Sequence, residues 1–376
     1  MERILHIGKF SQGKVGGIET ALDNLINGLS PFFQLFKVVS NNHFKLETIK
    51  KPQHLEVNVP SMGLLANTPI CPTMAYHVKK MHKRFNFSIV HLHLPNPMAH
   101  FSSEFLPASV KRIVSWHSDI VKQKHLLPFY QPWVGRLLEK SAAVIVATHD
   151  LAEKSSQLAI ARKKGILHVI PYGIDINSFN AEDSRIAVDM LRKKFKGKFI
   201  IFSLGRHVAY KGFCYLIEAM SYMQDDCILL LGGEGPLTMQ LKKQVKGLGL
   251  TQRIHFLGQL PTRKLTTYFH ACHVFCMSSI EKNEAFGLVQ LEAMACTKPV
   301  VSCDLGNDDM VNQDGITGLV VPPKSPVFLA NALTKLYQEP VLRRQLGEAA
   351  YSYVKEKYTY GRMVNTVQAL YEDVLR

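Results

Sequence analysis

Two α/β domains, each a parallel sheet covered by helices on both faces, are what this sequence predicts, and three observations predict them. The chain has 376 residues, too many for one ordinary core, so two domains of about 170 to 200 residues are the natural division. Short apolar runs alternate with amphipathic stretches along the whole chain, the rhythm of sheets buried on both sides. That rhythm breaks at Ile170-Pro171-Tyr172-Gly173-Ile174-Asp175 and the polar stretch to Ser184, where proline and glycine interrupt regular structure. The break predicts a first domain over residues 1–175 and a second over 176–359.

The elements follow in order. Arg3 to Gly8 alternates as a strand, runs into a glycine-containing loop and gives way to an amphipathic helix from about Ile18 to Leu29. Phe36–Ser40, Ser88–His93, Arg112–Trp116 and Ala143–Ala147 are short, apolar and bounded by turn or helix signals, as strands are. A fresh series of strands begins at Phe199–Leu204 and continues through Ile228–Gly232, Ile254–Leu257, Val274–Met277, Pro299–Ser302 and Gly318–Val321. The last 40 or so residues read as helical, with a break at Tyr358 to Gly361 before a final helix.

Composition excludes several classes. Apolar residues make up 47% and charged residues 20%, the balance of a folded globular protein rather than a disordered one. No apolar run approaches the roughly 20 residues of a membrane span. The N-terminus carries charges inside any apolar stretch and lacks a cleavage site, so no signal peptide is expected and a cytoplasmic place is. The seven cysteines, with Cys272 and Cys276 four apart, do not complete a zinc site and read as reduced, buried thiols. The formal charge of +15 concentrates in the first half: 21 Lys/Arg face 11 Asp/Glu up to residue 180, against 24 and 19 beyond it. Lys79, Lys80, Lys83 and Arg84 form the densest cluster. Such a surface favours phosphates, nucleic acid or anionic lipid, or is merely a solvated face. No nucleic-acid module is present and the charge is not striped with aromatics, so a nucleic-acid partner is not expected.

Four places carry chemistry. Gly13-Lys14-Val15-Gly16-Gly17-Ile18-Glu19 joins the first strand to its helix, and glycines there let backbone N–H groups approach an anion; such loops also serve packing alone. Arg206 follows the strand Phe199–Leu204, with Lys211-Gly212 five residues on. Ligands of doubly wound sheets sit at the carboxyl ends of strands, and a planar guanidinium with a mobile lysine suits phosphate oxygens. Two cations opening a helix oppose its dipole, which makes sense if an anion sits between them. Glu284 and Glu292 lie eight apart; the spacing alone means little, since Glu348 and Glu356 repeat it among 17 glutamates. Context separates the pairs, because Glu284 precedes a Phe286-Gly287 turn after a strand, where the amides of Phe286, Gly287 and Leu288 face the same ligand. Last, Arg112–Trp116 ends in His117-Ser118-Asp119; a single histidine is more often a packing residue than a catalyst, and His91, His93 and His125 compete with it on composition.

Together these residues resemble the family-4 retaining glycosyltransferases of the GT-B fold, two Rossmann-like domains whose parallel sheets face across a central cleft. The matches are Gly16-Gly17-Ile18-Glu19, His117-Ser118-Asp119, Gly205-Arg206 with Lys211-Gly212, Gly232-Gly233-Glu234-Gly235-Pro236, and Glu284-x-Phe286-Gly287 with Glu292. Their order covers nearly the whole chain. The phrase Glu284 to Pro299, with Val311-Asn312-Gln313-Asp314-Gly315 after it, is similar to mannosyl- and rhamnosyltransferases of bacterial envelope polysaccharides.

The resemblance implies roles. Arg206 and Lys211 neutralise the donor diphosphate, Glu292 holds the ribose hydroxyls, and Glu284 with the amides of Phe286, Gly287 and Leu288 holds the transferred sugar. Leu260 meets the base, Gly16 and Gly17 approach donor phosphate, Glu234 and Gly235 line the second domain's crevice, and His117 contacts the sugar near the reacting carbon. It implies a hexosyltransferase, with mannose from GDP-mannose the best choice, acting on a glycan or lipid-linked acceptor. No cofactor beyond the donor is expected, nor a metal, since Asp-x-Asp is absent from the sequence. It implies a final helix, about 360–376, packed back on the first domain, whose basic face skims an anionic membrane. Leu305-Gly-Asn-Asp-Asp-Met310 departs from the Gly/Pro-rich stretch of close relatives. A sugar-nucleotide epimerase or a phosphorylase of the same fold is the alternative enzyme.

Overall fold

The structure is a computed structural model that describes all residues except 12–16, 42, 66–67, 121–126, 181, 283, 285 and 307–309. The chain divides into two compact units, Met1–Gly173 with Tyr360–Arg376, and Ile174–Thr359.

In the first unit the strands are β1 (Arg3–Phe10), β2 (Gln34–Ser40), β3 (Glu47–Lys50), β4 (His54–Val59), the short hairpin β5 (Leu64–Leu65) and β6 (Thr68–Pro69), β7 (Ile89–Leu94), β8 (Lys111–Trp116), β9 (Ser141–Val146) and β10 (Leu167–Val169). Eight form one sheet in the order β10-β9-β8-β7-β1-β2-β4-β3. All pairs are parallel except β3 with β4. β7 is buried at every residue, as expected of a strand with helices on both faces. The sequence reading missed β3, β4 and β10 of this sheet, and the hairpin of β5 and β6. β4, His-Leu-Glu-Val-Asn-Val, buries apolar Val57 and Val59 on one face and polar His54, Glu56 and Asn58 on the other. Glu56 is 1% exposed and takes Lys51 Nζ at 2.7 Å, Lys37 Nζ at 3.2 Å and His54 Nε2 at 3.4 Å, while Lys37 also meets Asp23 at 2.5 Å. Burial opposes its charge, yet the bonds from His54 and Lys51 and the Lys37 charge hold Glu56 well below its ordinary range.

The helix Gly17–Leu29 buries Ala21, Leu22, Leu25, Ile26 and Leu29, a helical stripe. Against that stripe packs the last helix, Tyr360–Leu375, through Met363, Val364, Val367, Leu370 and Tyr371. Gly28 permits the approach, because a Cβ there would lie 2.2 Å from Val364 Cγ2. Tyr360 donates its hydroxyl to Asn24 O at 2.9 Å.

In the second unit the strands are β11 (Phe199–Leu204), β12 (Cys227–Gly232), β13 (Ile254–Gly258), β14 (Val274–Met277), β15 (Val300–Cys303) and β16 (Gly318–Val321). They form one wholly parallel sheet in the order β13-β12-β11-β14-β15-β16. Each was legible in the sequence to within one or two residues, because near-continuous apolar runs such as Cys-Ile-Leu-Leu-Leu-Gly announce strands buried on both faces. The chain order reverses between β11 and β14, so the loops leaving these two strands diverge and open a crevice at the sheet's carboxyl edge.

Candidate active site

The second unit's crevice is framed by backbone. Gly205 N donates to Gly232 O at 3.2 Å, His207 N to Glu234 O at 3.1 Å, Gly233 N to Gly258 O at 2.8 Å, and Leu237 N to His207 O at 3.1 Å. These bonds zip together the loops that follow β11, β12 and β13. Gly233 is obligatory there, since its φ is +104° and a Cβ would sit 2.0 Å from Gly205 O. The zipped loops leave an open cavity of about 500 Å3 lined by Arg206, Glu234, Gly235, Thr238 and Gln259. Arg206 is exposed and makes no hydrogen bond or ion pair with any described residue. Thr238 and His207 escaped the sequence reading; His207 Nδ1 lies 2.8 Å from Thr238 Oγ1, which also accepts from Gly235 N at 2.9 Å and so props the loop. Leu260 is half-buried, its Cδ1 3.0 Å from where a Gly232 Cβ would stand.

Across the reversal, the loops after β11 and β14 are tied as well. Ile280 N donates to Tyr210 O at 2.8 Å and Ser278 Oγ to Lys211 O at 2.9 Å. Lys211 Nζ and the Glu284 carboxylate form an ion pair, and Ser279 Oγ donates to the same carboxylate oxygen at 2.8 Å. Lysine and glutamate, 73 residues apart, thus neutralise each other at the place where the sequence put a phosphate-binding cation and a sugar-binding anion. Beyond them Phe286 is buried against Tyr358, and Gly287, at φ +73°, starts the helix Leu288–Ala295.

Glu292 lies just over one turn inside that helix. No described residue hydrogen-bonds or ion-pairs with its half-buried carboxyl, and burial lifts it from the ordinary 4.5 to about 7. Such a group waits for hydroxyl donors. The second unit therefore gathers Arg206, Lys211, Glu234, Gly235, Leu260, Glu284, Phe286, Gly287, Leu288 and Glu292 along the carboxyl edge of one sheet.

In the first unit Gly17 is exposed at the start of its helix; Gly13 and Gly16 lie outside the described residues, as do His125 and residues 307–309. His117 is buried at the end of β8, where its N–H donates to Leu94 O at 3.0 Å. Both its ring nitrogens are engaged, Nδ1 with the Tyr172 hydroxyl and Nε2 with His93 Nδ1 at 3.1 Å. The ring thus has no free nitrogen for a substrate in this arrangement. Asp119 accepts from Trp116 Nε1 at 3.0 Å and Ser155 Oγ at 2.7 Å, which commits it to holding the turn.

Comparison with known proteins agrees with this layout. Residues 15–178 match Glycosyltransferase Family 4 and residues 190–353 match Glycosyl transferases group 1. The chain is 26% identical over 380 residues to the O-antigen chain mannosyltransferase C of Escherichia coli, covering 99% of each chain. It is 30% identical over 275 residues to the D-rhamnosyltransferase WbpZ of Pseudomonas aeruginosa, covering 72% of this chain and 70% of that one. Its fold is that of the sucrose-phosphate synthase from Thermosynechococcus elongatus, with a TM-score of 0.84 at 21% identity over 100% and 99% of the two chains. Two Rossmann-like domains of this kind are the GT-B fold, and the chain belongs to the family-4, group 1 glycosyltransferases.

Proposed function

We propose that this glycosyltransferase is a retaining hexosyltransferase of envelope polysaccharide synthesis, taking a hexose, with mannose from GDP-mannose the best choice, to a glycan or lipid-linked acceptor. The observation that carries the reading is the Lys211–Glu284 pair, set with the unpartnered Arg206 and Glu292 along the edge where the chain order reverses. A diphosphate entering there competes with Glu284 for Lys211 and finds Arg206 free. Glu284, released from its lysine, turns its carboxylate to sugar hydroxyls, and Glu292 accepts from the ribose. Two cations on the leaving diphosphate stabilise charge that grows as the bond from the anomeric carbon to the phosphate oxygen breaks. The acceptor oxygen bonds to that carbon from the same face, and its proton passes to the departing phosphate. Among the described residues no carboxylate is placed as a nucleophile in this reading, unlike the paired carboxylates of retaining hydrolases. The reaction is proposed to need no metal and no cofactor beyond the donor, on the ground that Asp-x-Asp is missing from the sequence. The relatives' names, a mannosyltransferase and a rhamnosyltransferase, support the hexose and the envelope setting.

A peripheral place on the cytoplasmic face of a membrane belongs to the same proposal. Lys79, Lys80, Lys83 and Arg84 are all exposed on the helix Met74–Phe85, whose other face buries Met74, Val78 and Met81. Among the described residues no helix is long and apolar enough to cross a membrane. Release of nucleoside diphosphate from a panel of sugar nucleotides, by the protein and by Glu284→Ala and Arg206→Ala, tests the enzyme. Turnover of one donor that both variants lose supports the reading; no turnover with any donor, and no thermal stabilisation by GDP or UDP, refutes it.

A further inference from the structure

Four histidines, His6, His91, His93 and His117, stand in and at the end of three neighbouring strands of the first unit, β1, β7 and β8. All are buried. Burial is the main cause that lowers His6 to about 3, His117 to about 4, and His91 and His93 well below the ordinary 6.5. Each is a neutral imidazole near pH 7, with one N–H and one lone pair.

Three of them form a single file. The Tyr172 hydroxyl meets His117 Nδ1, His117 Nε2 lies 3.1 Å from His93 Nδ1, and His93 Nε2 lies 3.2 Å from His6 Nδ1. Successive ring centroids are 5.3 and 5.5 Å apart with planes inclined by 16° and 28°, the geometry of rings joined edge to edge. The file ends at His6 Nε2, a buried nitrogen with no hydrogen-bond partner among the described residues. His91 stands beside the file, face to face with His93 at 4.5 Å, and spends its nitrogens on Tyr371 and Ser115. Ring nitrogens of His6, His91 and His93 lie within 4.8 Å of one another, a spacing that invites a metal ion. Hydrogen bonds already occupy every nitrogen of the three except His6 Nε2, and the stacked face of His91 on His93 aims their lone pairs past each other rather than at one centre.

We infer that this file is a tautomer-coupled relay in which His6, His93 and Tyr172 act as positioning residues for His117 in the transfer reaction. Each junction between rings holds one proton. If Tyr172 donates, His117, His93 and His6 all carry their proton on Nε2; if the file runs the other way, all three carry it on Nδ1. A mixed set faces two N–H groups or two lone pairs across a buried contact, which loses a hydrogen bond and adds repulsion. The proton position at His6 is therefore read two rings away at His117. The role in transfer rests on the proposed function and on the family resemblance, which implies that His117 contacts the sugar near the reacting carbon. With both ring nitrogens occupied, what His117 contributes there depends on how firmly the file holds its ring and the strand end.

The test labels histidine with 15N and reads each tautomer from the ring-nitrogen shifts. His6→Leu removes the far partner, whereas His6→Asn places an amide where Nδ1 stands and serves either direction. The expected result is one shared tautomer for His6, His93 and His117 in the unaltered protein. His6→Leu shifts the His117 ring nitrogens and lowers kcat about tenfold, with donor KM changed by less than about twofold, and His6→Asn restores both. Unlike tautomers within the file overturn the relay, and that measurement needs neither a variant nor a substrate. His117 signals unmoved by His6→Leu overturn it too. Moved signals with unchanged kcat overturn the positioning role. Shared tautomers in a protein that turns over no sugar nucleotide overturn that role together with the proposed function, and leave the relay standing.

Discussion

Replacing Glu292 by glutamine removes a carboxyl that titrates at about 7 in the folded chain and at the ordinary 4.5 once unfolded. The unfolded chain gives up this proton at lower pH than the folded one does. Stability therefore falls as pH climbs from 4.5 to about 7 and levels off above, with the loss absent below 4.5. A gap of about 2.5 units, at roughly 1.4 kcal/mol per unit, sets an upper bound of about 3 kcal/mol, which partial exposure of the side chain reduces. Glutamine does not titrate, so its stability relative to the parent should improve by roughly 2 kcal/mol between pH 5 and pH 8. Urea unfolding at the two pH values measures this directly. Nucleotide binding gives the opposite sign, because ribose hydroxyls donate best to the ionised carboxylate. The parent's affinity for nucleoside diphosphate should rise several-fold from pH 6 to pH 8, and that of Glu292→Gln should stay level. A stability difference that is the same at pH 5 and pH 8 refutes the argument that burial without a partner raises this carboxyl.

Arg206→Ala and Lys211→Ala should each weaken nucleoside diphosphate binding by about tenfold or more in calorimetry, Lys211→Ala also freeing Glu284 from its ion pair. Gly212→Ala should destabilise the second domain by more than about 2 kcal/mol in denaturant unfolding, since φ is +63° and the new Cβ would stand 2.1 Å from Ser278 O. Tyr371→Phe should cost about 1–3 kcal/mol of stability, because it strips the buried His91 Nδ1 of its partner.

What the sequence showed and what it hid divide along one physical line. β11, β12 and β14 were legible because burial on both faces demands unbroken apolar runs, a signal contained within six residues. β4 was not, because one of its two buried faces carries His54, Glu56 and Asn58, a burial that depends in part on the distant Lys37 and Asp23. Arg206, Lys211, Glu284 and Glu292 were legible as candidates from their places after apolar strands. That Lys211 and Glu284 pair was not, since it depends on β11 and β14 being neighbours. His117 was weighed as a single histidine against His91 and His93. The missing signal was the order β1-β7-β8, which lines up His6, His93 and His117; only the His91-x-His93 spacing, two residues on one face of a strand, hinted at it.

The return of the last helix to the first unit gives the two units unequal standing during synthesis. Ile174 N donates to Tyr358 O at 2.9 Å and Ile174 bridges to Thr359, so the second unit enters and leaves through neighbouring residues and is closed upon itself. It is an insertion, complete before the ribosome has made residue 360. The first unit begins earlier and finishes later: until Met363, Val364, Val367, Leu370 and Tyr371 emerge, the apolar cluster that joins Leu22, Leu25 and Ile26 to Ile4, Leu35 and Ile89 lacks part of its cover. A chaperone that recognises exposed aliphatic surface would find it on the first unit until the last helix docks.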